Sequence, residues 1–170
     1  MNPGTSRHER LTFLAGVVRR EADHLAWTDA RVYAAGLTLS DVASLRQQPE
    51  KAEQIDAFVA RFGRLQDTLA GALLPRLLEG LLEPVGSVLD NLNRAERLGW
   101  VKSASDWARL RLLRNRMVHE YVEDAQELLD ALLLAHEAVA DLLDATARMT
   151  LAADRLAGGS GSGSGSGMVA

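Results

Sequence analysis

Apolar residues recur at helical spacing along almost the whole chain, and this pattern limits the fold more than any other feature. The good helix formers leucine, alanine, arginine and glutamate dominate the sequence, and β-branched residues are sparse. Proline and glycine stand between the periodic segments, and no segment has the alternating pattern of a strand. We therefore expect an all-α protein.

The first half of the chain predicts two long helices. One runs from about Ser6 to Ala34, with Gly36 as its C-terminal glycine. A short helical turn with Ser40 as its N-cap follows. The second long helix opens around Pro49 and continues beyond Leu73, and Pro75 within it is a candidate kink.

Three further helices follow in the second half. The first has Pro84 in its opening turn and ends at Gly99. The next starts at Ser103, which forms a weak capping box with Asp106, and ends near Tyr121. A last helix opens after the capping pair Asp124 and Glu127 and runs from Ala125 to about Leu156. Five main helices with short connections favour an antiparallel helical bundle.

The end of the chain differs in composition from the rest. Residues 158–167 alternate glycine and serine, and Met168-Val169-Ala170 resembles a junction with a fused segment. We interpret residues 158–170 as a Gly/Ser linker with a fusion remnant and residues 1–157 as one helical domain.

Composition excludes several classes of site. The chain has no cysteine, so disulfides and thiolate metal sites are impossible. His8, His24 and His136 have no partners at metal-ligand spacing, and we expect neither a metal nor a cofactor. Trp27, Trp100 and Trp107 are interpreted as core or interface residues. No segment has the length and apolarity of a membrane span, and a cytoplasmic protein is expected.

Charge is distributed unevenly along the chain. Between Arg94 and His119 seven Lys or Arg side chains stand against two acids, whereas the rest of the sequence has 12 against 21. A basic zone in an acidic protein of net charge −4 indicates a local site for a polyanion. Within it, the candidate RNA-binding side chains are Arg109, Arg111 and Arg116.

Four residues at the end of this basic zone carry chemistry: Arg114, Asn115, His119 and Tyr121. Arginine binds phosphate through a planar charged fork, and histidine exchanges protons near neutrality. His119 would act as general base or acid on RNA, Arg114 would hold the scissile phosphate, and Asn115 would orient either partner. The blander alternative is a solvated helix face with Tyr121 half-buried at its end.

The spacing of the pair raises a geometrical question. Five helical steps place Arg114 and His119 about 140° apart, so one straight helix does not bring them to one face. Either two copies of the helix face each other across a two-fold axis, or the helix loosens near His119.

The pattern Arg114-Asn115-x-x-x-His119-x-Tyr121 resembles the RNxxxHxY signature of HEPN domains, specifically the toxins of HEPN/MNT toxin–antitoxin pairs, known as HepT. The resemblance is constrained at four positions and includes the setting before a long final helix. Elsewhere the similarity is loose, in the Phe58–Leu74 stretch and the final helix.

The resemblance implies a homodimeric HEPN-like bundle that cleaves RNA without a metal in a cleft between two motif helices. Arg114 and His119 would be the catalytic pair, with Asn115 in support. The partner would be an MntA-like nucleotidyltransferase antitoxin that neutralises the toxin by adenylylating Tyr121. Some members are described only as substrate-binding partners of nucleotidyltransferases, so the alternative is a non-catalytic helical adaptor.

Overall fold

The computed structural model describes the backbone of residues 3–119 and 124–159 and the side chains of residues 7–118 and 124–159. Within these ranges the regular structure is helical and includes no strand, which confirms the predicted all-α class. The helices are α1 (Pro3–Tyr33), α2 (Leu39–Ala43), α3 (Pro49–Thr68), α4 (Leu74–Gly80), α5 (Val88–Arg97), α6 (Ala104–His119) and α7 (Ala125–Gly158). A 3₁₀ turn (Leu45–Gln47) follows α2, and a π-turn (Leu69–Leu73) joins α3 to α4.

Neighbouring helices of the bundle run in opposite directions, as the contacts between them show. Midway along α1, Arg19 pairs with Asp154 at 2.6 Å, and at its end the Tyr33 hydroxyl donates to the Leu132 carbonyl at 2.6 Å. As α1 proceeds, its partners on α7 therefore move backward. The same reversal relates α1 to α3 and α3 to α6, so these helices pack antiparallel.

The core lies between α1, the long α3–α4 segment and α7. Phe58, Phe62 and Leu65 of α3 are fully buried. Leu11, Val18 and Leu25 recur every seven residues along one face of α1 and are also buried, as the periodicity predicts. Helix α6 packs against α3, α5 and α7 at the side of this core, which leaves one of its faces in solvent.

Pro75 is accommodated without ending the helix. It lies in the first turn of α4, directly after the π-turn. Proline has no N–H to give to the carbonyl four residues earlier, and its ring crowds that carbonyl. The wider π-turn adapts the helix to both effects, a local solution that the sequence does not predict.

Two helix starts differ from expectation. The N-cap of α2 is Thr38, whose side chain exchanges capping bonds with Asp41, so the Ser40 assignment is wrong. Helix α5 begins at Val88 with Ser87 as N-cap and Asp90 completing the box, whereas Pro84 lies in the preceding loop. In both places a reciprocal pair of side-chain bonds sets the start of the helix.

Other end signals are confirmed. Gly36 and Gly99 both adopt φ of 77° after α1 and α5, a left-handed conformation that glycine adopts without strain. The Ser103 hydroxyl accepts from the Asp106 amide at 3.2 Å, and Asp124 accepts from the Gln126 and Glu127 amides.

The C-terminal tail lies almost wholly outside the described residues. Helix α7 extends to Gly158, the first residue of the predicted linker, and residues 160–170 are outside the described ranges. None of the helices in the described part of the chain combines the length and apolarity that crossing a membrane requires.

Candidate functional site

Helix α6 carries Arg114, Asn115 and the backbone of His119, and it is held in place from one side. Trp107, Leu113 and Met117 are buried against the rest of the bundle. On the opposite face of α6, residues of two successive turns are exposed, among them Leu112 and Asn115. The helix therefore presents the motif from a rigid support, because its apolar side is fixed in the core.

Arg114 crosses α3 and ends on an aspartate. Its Nη1 donates to Asp67 Oδ2 at 2.7 Å, and 35% of its side chain remains exposed. The side chain passes directly over Gly63, where an added Cβ would lie 2.5 Å from Arg114 Nε and 3.1 Å from Cζ. Gly63 and Asp67 are four residues apart on one face of α3, and together we call them the Arg114 cradle.

Asn115 faces a different feature from its neighbour. It lines a cleft of about 550 Å³ bounded by α3, the π-turn, α5 and α6, here called the α3/α5/α6 cleft. Asp67 and Arg111 also border this cleft, so the Arg114 cradle lies at its edge. The walls are mainly apolar, with Leu89 and Leu112 among the lining residues.

The second catalytic candidate is described only by its backbone. His119 is the last residue of α6, its side chain lies outside the described residues, and Tyr121 lies outside them altogether. Since α6 is helical through position 119, loosening before His119 does not bring it to Arg114. Positions 115 and 119 share one face of α6, while Arg114 points toward α3.

The predicted basic zone does not form one surface. Arg111 borders the cleft, but Arg109 pairs with Asp106 at 3.2 Å and lines the groove toward α7. In that groove Lys102 donates to Asp141 at 2.5 Å, and this bond raises the pKa of the lysine. Arg116 is exposed. Of the three candidate RNA-binding arginines, only Arg111 therefore accompanies Arg114 at the cleft.

The side chains that α3 contributes to the site are not apparent from the sequence. Gly63, Gln66 and Asp67 all lie in a segment whose apolar stripe predicts only core packing. Gly63 was the available signal, because glycine inside a helix costs roughly 1 kcal/mol relative to alanine and usually has a packing reason. Nothing local identifies Arg114 as that reason, since the two residues are far apart in the chain.

The sequence predicts structural or surface positions for the remaining histidines and core or interface positions for the three tryptophans. His136 Nδ1 lies 2.7 Å from Asp29 Oδ1, and its ring stacks on Tyr33 at 4.1 Å between centroids. Trp100 and Trp107 are buried, whereas Trp27 is exposed and lies under the guanidinium of Arg31 at 4.8 Å. Across the described ranges no cluster of three His, Asp or Glu side chains could hold a metal ion.

Comparison with protein-family models, with curated proteins and with solved structures gives no match. The resemblance to HEPN toxins therefore depends on the motif residues and their helical setting alone.

Proposed function

We propose that this protein is a metal-independent endoribonuclease, the toxin of a toxin–antitoxin pair, whose site combines Arg114 and His119. The observation that carries the proposal is the placement of Arg114. Its guanidinium is anchored by Asp67, remains partly exposed, and lies at the edge of a cleft that also has Arg111 on its border. An oriented cation beside an open cleft suits a phosphodiester whose negative charge increases during reaction.

The reaction needs no redox partner. His119 takes the proton from a ribose 2′-hydroxyl, the oxygen attacks phosphorus, and the bond from phosphorus to the 5′-oxygen breaks. The leaving oxygen receives a proton from the protonated imidazole of His119 of the partner subunit, and the products are a 2′,3′-cyclic phosphate and a 5′-hydroxyl. Arg114 stabilises the pentacoordinate phosphorane, and Asn115 hydrogen-bonds the RNA from the cleft.

A homodimer supplies the second acid in this proposal. Because α6 is helical through position 119, positions 114 and 119 of one chain lie about 140° apart around its axis. Two α6 helices related by a two-fold axis would place His119 of one protomer near Arg114 of the other. The exposed side of α6 offers apolar contact for this arrangement through Leu112, which is 65% exposed, and Val118.

Control of the toxin follows from the position of Tyr121. Adenylylation by an MntA-like nucleotidyltransferase would add a bulky group and a negative phosphate two residues from His119. Both additions oppose the binding of RNA phosphate. A cytoplasmic location is part of the same proposal, because RNA substrate and antitoxin are both found there.

The alternative is a non-catalytic adaptor that binds the nucleotidyltransferase through α6. The specific observation in its favour is the Arg114–Asp67 pair, because an arginine already neutralised by a carboxylate binds phosphate less strongly. Exposed apolar residues on α6 would then be partner contacts.

The deciding experiment is incubation of the unmodified protein with total RNA in EDTA, followed by analysis of the RNA ends. We expect cyclic phosphate ends from the parent protein and none from His119→Ala or Arg114→Ala. The matched control is Arg109→Ala, which removes an arginine of the same helix outside the cleft and should cleave normally. Equal cleavage by His119→Ala would reject the catalytic role, and no cleavage by the unmodified parent would favour the adaptor.

A further inference from the structure

The α3/α5/α6 cleft contains an unsatisfied hydrogen-bond acceptor. Gln66 lines the cleft and is only 4% exposed, and its Oε1 has no hydrogen-bond partner. A buried amide oxygen without a donor costs roughly 1 to 3 kcal/mol. Such an atom next to a cleft is a physical indication of a missing ligand group.

The orientation of the Gln66 amide is fixed by its other end. Its Nε2 donates to the Trp107 carbonyl at 3.3 Å. A carbonyl only accepts, so turning the amide over would put two acceptors against each other. The group that Gln66 lacks is therefore a donor and not a second acceptor.

The size and lining of the cleft suit a heterocycle. Its volume of about 550 Å³ is in the usual range for small-molecule sites. Leu89 and Leu112 supply exposed apolar walls, and Ala70 and Gly71 of the π-turn leave room on the α3 side. π-turns are frequent at functional sites, because they change the direction of side chains within a helix.

The mouth of the cleft favours a ligand that carries phosphate. Arg111 borders the cleft directly, and Arg114 lies at its edge on Asp67. Two arginines against one aspartate leave a net positive mouth next to an apolar interior. A nucleotide has this distribution of properties, with a planar base and a charged phosphate.

We propose that the α3/α5/α6 cleft binds an RNA nucleobase that carries an exocyclic amine, cytosine or adenine, beside the phosphate held by Arg114. The amine donates to Gln66 Oε1, and the ring packs against Leu89 and Leu112. Uracil places a carbonyl where cytosine has its amine, and this carbonyl would face the Gln66 oxygen. Gln66 is thus a specificity-determining residue of the cleavage site, an inference that rests on the proposed ribonuclease function.

Cytidine and uridine monophosphates are the matched probes, because they differ mainly in this one donor. They can be titrated into the full-length protein while the three tryptophan indole N–H signals are followed by NMR. Trp107 reports the cleft, exposed Trp27 reports non-specific stacking, and buried Trp100 reports global change. We expect the Trp107 signal to move with CMP and about five- to tenfold more CMP affinity than UMP affinity.

Two variants test the contacts separately. Gln66→Met keeps the length of the side chain and removes the acceptor, so it should abolish the preference for CMP over UMP. Arg111→Gln should weaken both nucleotides about equally. Arg109→Gln is the control for Arg111→Gln, because it removes the same charge from the same helix on the side facing α7; it should leave binding unchanged.

The outcomes separate this inference from the proposed function, because binding is measured without cleavage. Equal effects of Arg109→Gln and Arg111→Gln would indicate general attraction and overturn the inference. A static Trp107 signal with both nucleotides would also overturn it, including the case in which a second copy or a partner helix fills the cleft. CMP binding that depends on Gln66 in a protein that does not cleave RNA would support the subsite and reject the ribonuclease.

Discussion

The Asp29–His136 and Arg114–Asp67 side-chain pairs both join antiparallel helices, and they differ in what surrounds them. Asp29 and His136 connect α1 to α7 at 2.7 Å, and Arg114 and Asp67 connect α6 to α3, also at 2.7 Å. Beside Asp29 and His136, the Tyr33 ring stacks on the imidazole, and the Tyr33 hydroxyl donates to the Leu132 carbonyl. Beside Arg114 and Asp67, no aromatic ring of the described residues stacks on the pair, and the α3/α5/α6 cleft opens next to it.

The two pairs have the same distance between their charged or polar atoms but different roles in the protein. The Asp29 side chain is 15% exposed and belongs to the packing, whereas the Asp67 side chain is 49% exposed at the edge of a cleft. Charge pairs in water contribute little to stability, so the second pair is better explained by the orientation it gives to Arg114. The surroundings of a pair, more than its geometry, distinguish a structural contact from one that serves binding.

Apart from the loss of activity expected of His119→Ala and Arg114→Ala, the largest effect should come from Gly63→Ala, which disturbs the Arg114 cradle. The new Cβ would lie 2.5 Å from Arg114 Nε, so the arginine must move. We expect RNA cleavage to fall about a hundredfold, since misplacement by about 1 Å has this effect on reacting groups. Stability should not fall, because alanine is favoured over glycine in a helix by up to about 1 kcal/mol.

Gly16→Ala is the control for this variant. Gly16 also lies inside a helix, but its added Cβ would meet only Arg20 Nη1, at an ordinary 3.7 Å. It should retain full cleavage in the same assay. Normal cleavage by Gly63→Ala would show that the position of Arg114 over α3 does not matter for activity.

A smaller effect should distinguish the Asp29–His136 pair from the Arg114–Asp67 pair by the free energy of unfolding. Asp29→Ala removes a mostly buried partner of His136 and should lower the free energy of unfolding by about 1 to 2 kcal/mol. Asp67→Ala removes an exposed partner and should cost less than about 0.5 kcal/mol while lowering cleavage. Urea unfolding at neutral pH measures both, and equal losses of stability would contradict the distinction.

The smallest effect concerns Tyr33 and depends on pH. Burial, and secondarily the charge of Asp29, raises the pKa of the Tyr33 phenol above its usual value of 10.0. Above about pH 10 the unfolded chain loses this proton while the folded protein retains it, so stability should fall as pH rises. Tyr33→Phe should cost about 1 kcal/mol at pH 7 and progressively less above pH 10.

Urea midpoints of the parent and Tyr33→Phe at pH 7, 9 and about 11 provide the test. The difference between the two proteins should shrink at the highest pH. A constant difference would mean that the Tyr33 phenol ionises equally in the folded and unfolded states.

Patterns confined to one helix were predicted well. The apolar spacing of α1 and α7 and the glycines at 36 and 99 are local, and the structure agrees with them. The starts of α2 and α5, which the sequence predicts at the wrong residues, show the limit of such local signals. Ser40 and Pro84 are plausible first-turn residues, but Thr38 and Ser87 form the reciprocal capping boxes with the aspartates three residues later.

The candidate site could be predicted only in part. Arg114, Asn115 and His119 are neighbours in sequence, so the motif is visible there, and the HEPN resemblance adds their proposed roles. Gln66 and Asp67 come from a helix about 50 residues earlier, and only antiparallel packing of α3 and α6 brings them to the motif. A single sequence contains no local trace of that pairing.

The π-turn affects which residues of the continuous α3–α4 segment face the core. Leu65, Leu69, Leu73 and Leu77 are all fully buried, yet they repeat every four residues. In a regular α-helix that repeat rotates by about 40° at each step, so such a row would leave the core within a few turns. A π-turn contains more residues per turn and takes up part of this rotation. Deleting one residue there would put the same four leucines at the i, i+4, i+7 and i+11 positions that share one face of a regular α-helix, so natural variation in this segment should include chains one residue shorter in which the π-turn is absent.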